Sequence, residues 1–182
     1  MKFIMSNIIV IYKSKYGSTK RYAQWIAEDT GADLREVSEI KTEDLERYET
    51  IVFGGSLHAV GIKGIKIITD NFDKLNNKKI VVYGVGASPV KEEPIKAVVE
   101  ANFKGEMRNK IKFFYLRGAF NYEKLSVGDK MLMNALKLKI KSKKEEELDE
   151  DSKGLLECYD HPADWTDRKD IDPLVEYIKR TN

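Results

Sequence analysis

One stretch near the start of the chain constrains the fold more than any other. An apolar run from Ile8 to Tyr12 stops at the sequence SKYGST, and a helical pattern begins directly after it. The apolar run predicts a buried strand, and Tyr22, Trp25 and Ile26 recur at the spacing of a helix's inner face. We therefore expect a strand, a hydroxyl-rich loop and a helix in direct succession.

This loop has the chemistry of an anion site. The first N–H groups of a helix lack intrahelical acceptors, and the helix dipole favours negative charge there. Ser14, Ser18 and Thr19 can each add a hydroxyl donor, and Gly17 lets the backbone approach a ligand closely. No triphosphate or dinucleotide loop motif is present, so a monophosphate ester is the expected ligand. Alternatively, Ser18 or Thr19 caps the helix and the loop binds nothing.

Apolar strands and amphipathic helices alternate along the rest of the chain. A helix is predicted from about Ile62 to Leu75, and another carries Ile95, Val98 and Val99 on its inner face. Four further strands are predicted in the segments ADLREV, IVF, KIVVY and KIKFFYLRG. This alternation indicates an α/β fold with a doubly wound, five-stranded parallel sheet in the order 2-1-3-4-5.

Glycine-rich loops are predicted after the third and fourth strands, at residues 54–61 and 84–88. In the order 2-1-3-4-5 these loops and the hydroxyl-rich loop meet at the carboxyl ends of the strands. Each loop alone could be a tight connection. Three such loops on one edge favour a shared ligand site.

The segment YKSKYGSTKRYA resembles the phosphate loop of flavodoxins, with the pattern [ST]-x-x-G-x-T. The resemblance implies a flavodoxin-like fold and non-covalent FMN. It places the phosphate at Ser14, Lys15, Tyr16, Gly17, Ser18 and Thr19. It places the flavin ring between Gly55, Ser56, Leu57 and His58 on one side and Gly84, Val85, Gly86 and Ala87 on the other. The second and third loops lack Trp and Tyr, so flavin stacking is weaker or an aromatic side chain arrives from elsewhere.

Residues 117–162 form a connection much longer than a strand-to-helix link requires. The segment LRGAFNYEKLSVGDKMLMNALKLKIK resembles the corresponding region of flavodoxin-like menaquinone-dependent protoporphyrinogen IX dehydrogenases. We expect residues Phe120 to Leu125, with Tyr122 among them, to border the flavin pocket. The predicted helix carries an apolar stripe that includes Met131 and Leu136, flanked by lysines. The stripe either packs on the sheet or makes a peripheral membrane contact through residues 130–144.

Two functions follow from these resemblances. The first is an FMN-binding flavodoxin-domain redox protein that exchanges electrons with a partner protein or a quinone. The alternative is a menaquinone-dependent protoporphyrinogen IX dehydrogenase, with a place in heme biosynthesis. Whether the chain is an enzyme stays open, and no catalytic residue is assigned.

The composition of the chain predicts its domain organisation, its location and the absence of some partners. The 182 residues fit a single domain over 1–182 with one substantial core, and 42% hydrophobic with 34% charged residues is ordinary for a globular protein. A lone Cys158, no recognisable signal peptide and no long apolar run predict a cytoplasmic protein, peripheral at the inner membrane face if the lysine-flanked helix binds lipid. Lys and Arg (32) nearly balance Asp and Glu (30), so no nucleic-acid partner is expected. No metal-ligand cluster is visible in the sequence, and the oligomeric state is left open.

Overall fold

A central parallel sheet organises the part of the chain that the computed structural model describes, residues 6–180. The strands are β1 (Ile8–Lys13), β2 (Asp33–Glu36), β3 (Thr50–His58), β4 (Gly61–Ile62), β5 (Lys79–Gly86), β6 (Ile111–Arg117), β7 (Ala119–Phe120) and β8 (Ala163–Asp164). The main sheet has the order β2-β1-β3-β5-β6, with all neighbours parallel, and β4 pairs antiparallel with the end of β3. Counted as five parallel strands, this is the predicted order 2-1-3-4-5, which is confirmed.

Helices cover both faces of this sheet. They are α1 (Ser18–Thr30), α2 (Thr42–Leu45), α3 (Lys66–Thr69), α4 (Phe72–Leu75), α5 (Glu92–Asn102), α6 (Met107–Lys110), α7 (Val127–Lys141), α8 (Glu150–Glu157) and α9 (Asp172–Lys179). Val10, Val52 and Val81 pack against α1 and α9, whereas Ile9 and Ile51 pack on the opposite face with α3, α4 and α5. Because successive strand residues point to opposite faces, strands covered on both sides are apolar throughout.

The predicted helix from Ile62 to Leu75 was wrong as a continuous element. Ile62 lies in β4, and two one-turn helices, α3 and α4, replace the long helix. Gly64 has a φ of 80°, so the backbone just before α3 is not helical. Asn71 also departs from helical geometry, and it separates α3 from α4. The predicted inner face is nevertheless buried, at Ile65, Ile68, Phe72 and Leu75.

The predicted glycine loops begin inside strands, which corrects their boundaries. β3 continues through Gly54 and Gly55 to His58, and β5 runs through Gly84. A Cβ on Gly54 would stand 2.0 Å from Cζ of Tyr83, and one on Gly55 would stand 2.4 Å from Cγ2 of Ile62. These glycines therefore serve close packing between neighbouring elements rather than a turn.

The long connection leaves and returns through a short strand pair. β7 follows β6 directly and pairs antiparallel with β8. Residues 121–162 therefore form a long connection whose two ends are held side by side by this strand pair. We call residues 121–162 the insertion. Ile140 is the buried residue of α7, and α8 has none. Among residues 6–180, no helix combines the length and the apolar character needed to cross a membrane.

Candidate functional site

A cavity of about 510 Å³ lies at the carboxyl ends of β1, β3 and β5. Its walls come from the start of α1, the ends of β3 and β5, and the insertion. Cofactor sites typically have volumes of a few hundred to about 1,000 Å³ and often lie at this edge of an α/β sheet. The cavity is therefore the candidate site.

The cavity brings together residues from all three predicted loops. Nine of the predicted site residues line it: Tyr16, Ser18, Thr19, Ser56, Leu57, His58, Val85, Gly86 and Ala87. Each loop contributes because the parallel strands end side by side, with Gly54 opposite Tyr12 and Val85 opposite Ser56 in the sheet register.

The other predicted site residues do not line the cavity. They are Ser14, Lys15, Gly17, Gly55, Gly84 and Tyr122. Ser14 Oγ accepts a hydrogen bond from the Gly17 amide at 3.1 Å, inside the loop. The Tyr122 hydroxyl donates to Asn134 Oδ1 at 2.7 Å, and its ring packs on Tyr159 within the insertion.

The hydroxyl-rich loop meets α1 through a glycine. Gly17 is the residue before α1 and has a φ of 102°, and no side chain caps this helix. The alternative in which Ser18 or Thr19 serves as the helix cap is therefore wrong. Ser18 Oγ accepts from the Ala119 amide at 3.0 Å, and Thr19 Oγ1 lies 2.9 Å from Ser56 Oγ. The amides of the first turn of α1 have no intrahelical acceptor, so a ligand can accept from them.

Two buried tyrosines hold the first turn of α1 and the ends of the insertion. The Tyr83 hydroxyl donates to the Thr19 carbonyl at 3.2 Å, and burial raises the pKa of Tyr83 well above its ordinary value. The Tyr22 hydroxyl donates to the Arg117 carbonyl at 2.7 Å and accepts from the Asp167 amide at 3.3 Å. Burial raises the pKa of Tyr22 to about 12. Both hydroxyls therefore stay protonated and tie the loop to β5, and α1 to both sides of the insertion.

Asp129, in the first turn of α7, contacts the hydroxyl-rich loop and lines the cavity. Its Oδ2 accepts from the ammonium of Lys15 and the hydroxyl of Tyr16, and its Oδ1 lies 3.9 Å from His58 Nδ1. The hydrogen bonds from Lys15 and Tyr16 lower the pKa of Asp129 to about 2. The hydrogen bond to Asp129 raises the pKa of Lys15. The Lys15 charge is therefore balanced within the protein rather than presented to the cavity.

Arg21 and Arg117 bind Asp164 and Ala87, two residues that line another part of the cavity. Arg21 Nη1 donates to Asp164 Oδ2 at 2.7 Å, which joins α1 to β8. Burial opposes ionisation of Asp164, but hydrogen bonds from Arg21 and Thr166 hold its pKa below the ordinary value. The Arg117 guanidinium lies 3.8 Å from the centre of the Trp165 ring and donates to the Ala87 carbonyl at 3.1 Å. This contact anchors the loop that follows β5.

Several lining residues were not predicted from the sequence. They include Arg21, Gly118, Asp129, Met133, Pro162 and Asp164. Lys124 and Leu125, by contrast, belong to the segment that was predicted to border the flavin pocket, and both line the cavity. Most of the unpredicted residues lie in the insertion or at its ends, more than 95 positions from the loop after β1. The one local signal was the capping spacing of Ser126 and Asp129, where Ser126 Oγ accepts from the Asp129 amide at 3.4 Å. Two aromatic rings also reach the cavity, from Tyr16 and Phe120.

Comparison with known proteins identifies the family of this chain. The model of the Flavodoxin domain family matches residues 9–147. The chain belongs to the flavodoxin-domain family. The matched range covers the strands from β1 to β6 and extends into the insertion beyond the end of α7. Among curated proteins, "Uncharacterized protein MJ0298" of Methanocaldococcus jannaschii is 26% identical over 107 residues, which is 57% of this chain and 65% of that protein.

Similar solved structures include flavodoxins and flavodoxin-like proteins. A flavodoxin, WrbA-like protein from Agrobacterium tumefaciens is 22% identical, with 68% of this chain and 87% of that chain covered and a TM-score of 0.43. A flavodoxin from the domain Archaea is 20% identical, with 60% and 80% covered and a TM-score of 0.41. The Trp repressor binding protein from Bacillus subtilis is 17% identical, with 61% and 82% covered and a TM-score of 0.45. Since these TM-scores are below 0.5, family membership rests on the sequence match.

Membership of this family confirms the predicted cofactor in general terms. Flavodoxin domains bind FMN, and this chain is an FMN-binding redox flavoprotein. The described residues fit such a group, because a cavity of about 510 Å³ adjoins an uncapped helix N-terminus and a glycine with φ of 102°.

Proposed function

We propose that FMN binds in this cavity with its phosphate at the N-terminus of α1, and that the protein exchanges electrons through the bound flavin. The observation that carries the proposal is the uncapped start of α1, where Gly17 leaves first-turn amides without side-chain partners beside a cofactor-sized cavity. The dipole of a 13-residue helix favours an anion at this position.

The phosphate contacts divide between backbone and hydroxyl groups in this proposal. Ser18, Thr19 and Tyr16 line the cavity, and in this proposal the amides of Ser18 and Thr19 and the hydroxyl of Ser18 donate to the phosphate. Lys15 contributes indirectly, because its ammonium is paired with Asp129. Ser14 shapes the loop by accepting from the Gly17 amide. The loop thus presents neutral donors rather than a free cation.

The isoalloxazine ring lies, in this proposal, between the end of β3 and the segment after β5. Leu57 and Val85 supply apolar contacts, and the backbone of Gly86 and Ala87 supplies polar groups at the ring edge. Tyr16 and Phe120 are the aromatic rings within the same cavity. When bound, the flavin supplies the capacity to take up and release electrons and protons. The protein's side chains hold the ring, exclude water from part of it and set its environment.

The first test is the cofactor content of the purified protein. We expect a yellow protein with flavin absorbance, and release of FMN as identified by mass spectrometry. A protein that copurifies tightly with FAD would contradict the single-phosphate site, because the loop lacks a pyrophosphate motif.

The second test compares FMN with riboflavin, which lacks the phosphate. Thr19→Val removes a buried hydroxyl that bonds to Ser56 while keeping the side-chain shape. If this hydroxyl supports the phosphate site, FMN binding weakens by about 1.5 to 3 kcal/mol and riboflavin binding stays unchanged. An equal loss for riboflavin would assign Thr19 a purely structural role.

A second candidate function, oxidation of protoporphyrinogen with a menaquinone acceptor, is favoured by the position of the insertion. Leu125, Leu132 and Met133 from the insertion line the flavodoxin-type cavity and offer an apolar surface for a second molecule. We expect protoporphyrinogen turnover with a menaquinone analogue, measured with and without lipid, if this candidate is correct.

Matched variants of α7 would separate this enzyme from an electron carrier. Leu132→Asp alters a residue that lines the cavity, whereas Leu138→Asp alters an exposed leucine of the same helix outside the cavity. Loss of turnover in the first variant alone, with FMN retained, supports the enzyme. A protein that retains FMN and has no such turnover in any form supports the carrier.

Peripheral membrane contact through residues 130–144 remains a proposal. Met131 is 70% and Leu138 is 71% exposed, and both lie on a helix that also carries Lys130 and Lys141. We expect cosedimentation with vesicles containing anionic lipid, and its loss in the double variant Met131→Glu and Leu138→Glu. Equal recovery of both proteins in the supernatant would contradict the contact.

A further inference from the structure

A cluster of polar side chains joins the first turn of α7 to the hydroxyl-rich loop. Asp129 accepts from both Lys15 and Tyr16. Lys15 Nζ also donates to Ser126 Oγ at 3.2 Å, and the Ser126 amide donates to the Tyr16 hydroxyl at 3.1 Å. These four hydrogen bonds join residues more than 100 positions apart. We call this cluster of Lys15, Tyr16, Ser126 and Asp129 the loop lock.

The loop lock is better shielded from solvent than the Lys91–Asp151 ion pair, which also joins the insertion to the rest of the chain. The side chains of Lys15 and Asp129 are 30% and 16% exposed, compared with 53% and 35% for the Lys91–Asp151 pair. Less exposed pairs are screened less by water and salt. The lock is therefore the stronger of these two ion-pair attachments of the insertion.

Asp129 also forms part of the cavity wall beside Tyr16 and His58. We infer that Asp129 determines which flavin this cavity accepts, by holding the first turn of α7 against the loop and so excluding flavins that extend beyond a single phosphate. This inference rests on the proposed position of the FMN phosphate at the start of α1.

The exclusion has a steric and an electrostatic part. With the phosphate at the start of α1, as proposed, Asp129 lines the cavity beside Tyr16. A flavin that extends past its phosphate in this direction would have to displace the turn from Ser126 to Asp129, which the lock holds in place. A second phosphate would also find no free cation at this turn, because the Lys15 ammonium is already paired with Asp129. Specificity then arises from an unfavourable contact with the wrong ligand rather than from a better contact with FMN.

Binding of FMN, FAD and riboflavin to the flavin-free full-length protein, followed by calorimetry, tests this inference. In the unaltered protein we expect FMN to bind at least about 100-fold more tightly than FAD. Asp129→Ala opens space and removes the charge, and we expect it to reduce this preference at least about tenfold, chiefly through tighter FAD binding. Asp129→Asn removes the charge alone, and we expect a smaller reduction.

Asp151→Asn is the matched control. Asp151 is also an aspartate of the insertion paired with a lysine of the α/β core, Lys91, but it does not line the cavity. We expect the FMN-to-FAD preference of this variant to equal that of the unaltered protein. An equal change in Asp151→Asn would overturn the inference, because general loosening of the insertion would then explain the effect.

The outcomes separate this inference from the proposed function. FMN binding that persists in Asp129→Ala, with the preference over FAD unchanged, overturns the inference and leaves the FMN site standing. Failure of the unaltered protein to bind FMN overturns both. Retained FMN binding in Asp129→Ala reports that the variant is folded, so an altered preference cannot result from unfolding.

Discussion

The sheet and the insertion of this flavodoxin-domain protein are held together in different ways. In β1, β3 and β5 the central residues are completely buried, among them Val10, Phe53 and Val82. In α7 and α8, Ile140 is the buried residue, while Val127, Met131 and Leu138 are largely exposed. Hydrophobic burial is proportional to area removed from water, so the sheet is stabilised mainly by packing. The insertion depends far more on polar contacts with the sheet and its loops.

This difference shows how one chain can combine a rigid cofactor site with an adaptable cover. The loops on one side of the cavity follow strands that pack into a dense core, and Thr19 and Val85 of these loops are themselves buried. The residues that close the insertion side are held by the loop lock, the Lys91–Asp151 pair and the β7–β8 pair. Four predictions test this comparison.

The largest effect is expected in the sheet, from Gly54→Ala. The added Cβ would stand 2.0 Å from Cζ of the fully buried Tyr83 ring, so β3 or β5 has to shift. We expect a loss of about 3 kcal/mol or more in the free energy of unfolding, measured by denaturant titration. The control is Gly154→Ala in α8, where nothing lies within 4 Å of the added atom. A comparable loss in both variants would contradict the comparison.

Native-state hydrogen exchange should distinguish the two regions directly. Amides of β1, β3 and β5 lie between paired strands under two helical layers, whereas α7 buries one residue. We expect protection factors in α7 and α8 to be at least about 100-fold lower than in these strands, because local opening of the insertion exposes little apolar area. Equal protection would mean that the insertion and the sheet unfold as one unit.

Asp129→Asn should weaken the attachment of the insertion in a pH-dependent way. The pKa of Asp129 lies near 2, below its ordinary 3.8, so its stabilising contribution is present above about pH 4 and is lost as the pH falls towards 2. Allowing for solvent screening, we expect the variant to be about 1 kcal/mol less stable at pH 7. The difference between the two proteins should vanish near pH 2, as followed by acid titration of circular dichroism. A difference that is independent of pH would contradict the role of the carboxylate charge.

The smallest effect is expected at the other attachment of the insertion. Lys91→Ala breaks the pair with Asp151, whose partners are 53% and 35% exposed. Exposed ion pairs contribute little, since water and salt screen them. We expect no resolvable change in the midpoint of thermal unfolding, and a clear change would place this pair on a level with the loop lock.

The order of the sheet could be predicted because each strand carries its own signal. Strands such as IIVIY and KIVVY are apolar throughout, which occurs when both faces are covered, and that pattern is local. The hydroxyl-rich loop was predicted for the same reason, since strand, glycine and helix follow each other directly. The local sequence pattern predicted the wrong strand boundary where a glycine is required for close packing rather than for a turn. Gly54 and Gly55 indicated a loop, yet they lie inside β3 because Tyr83 and Ile62 occupy the space of a side chain.

The sequence by itself therefore determined the parallel sheet, its order, the three strand ends that form the cavity and the family to which the chain belongs. Only the tertiary structure showed that the insertion and its ends form the remaining wall of that cavity. Asp129 meets Lys15 across 113 intervening positions, and Arg21 meets Asp164 across 142, so no local period or spacing reports either pair. Tyr122, predicted to border the flavin, instead bonds to Asn134 and packs on Tyr159. Local propensity specifies strands and helices. The position of the insertion on the sheet is different: α7 buries one residue, so this position depends on a few polar contacts between residues far apart in sequence.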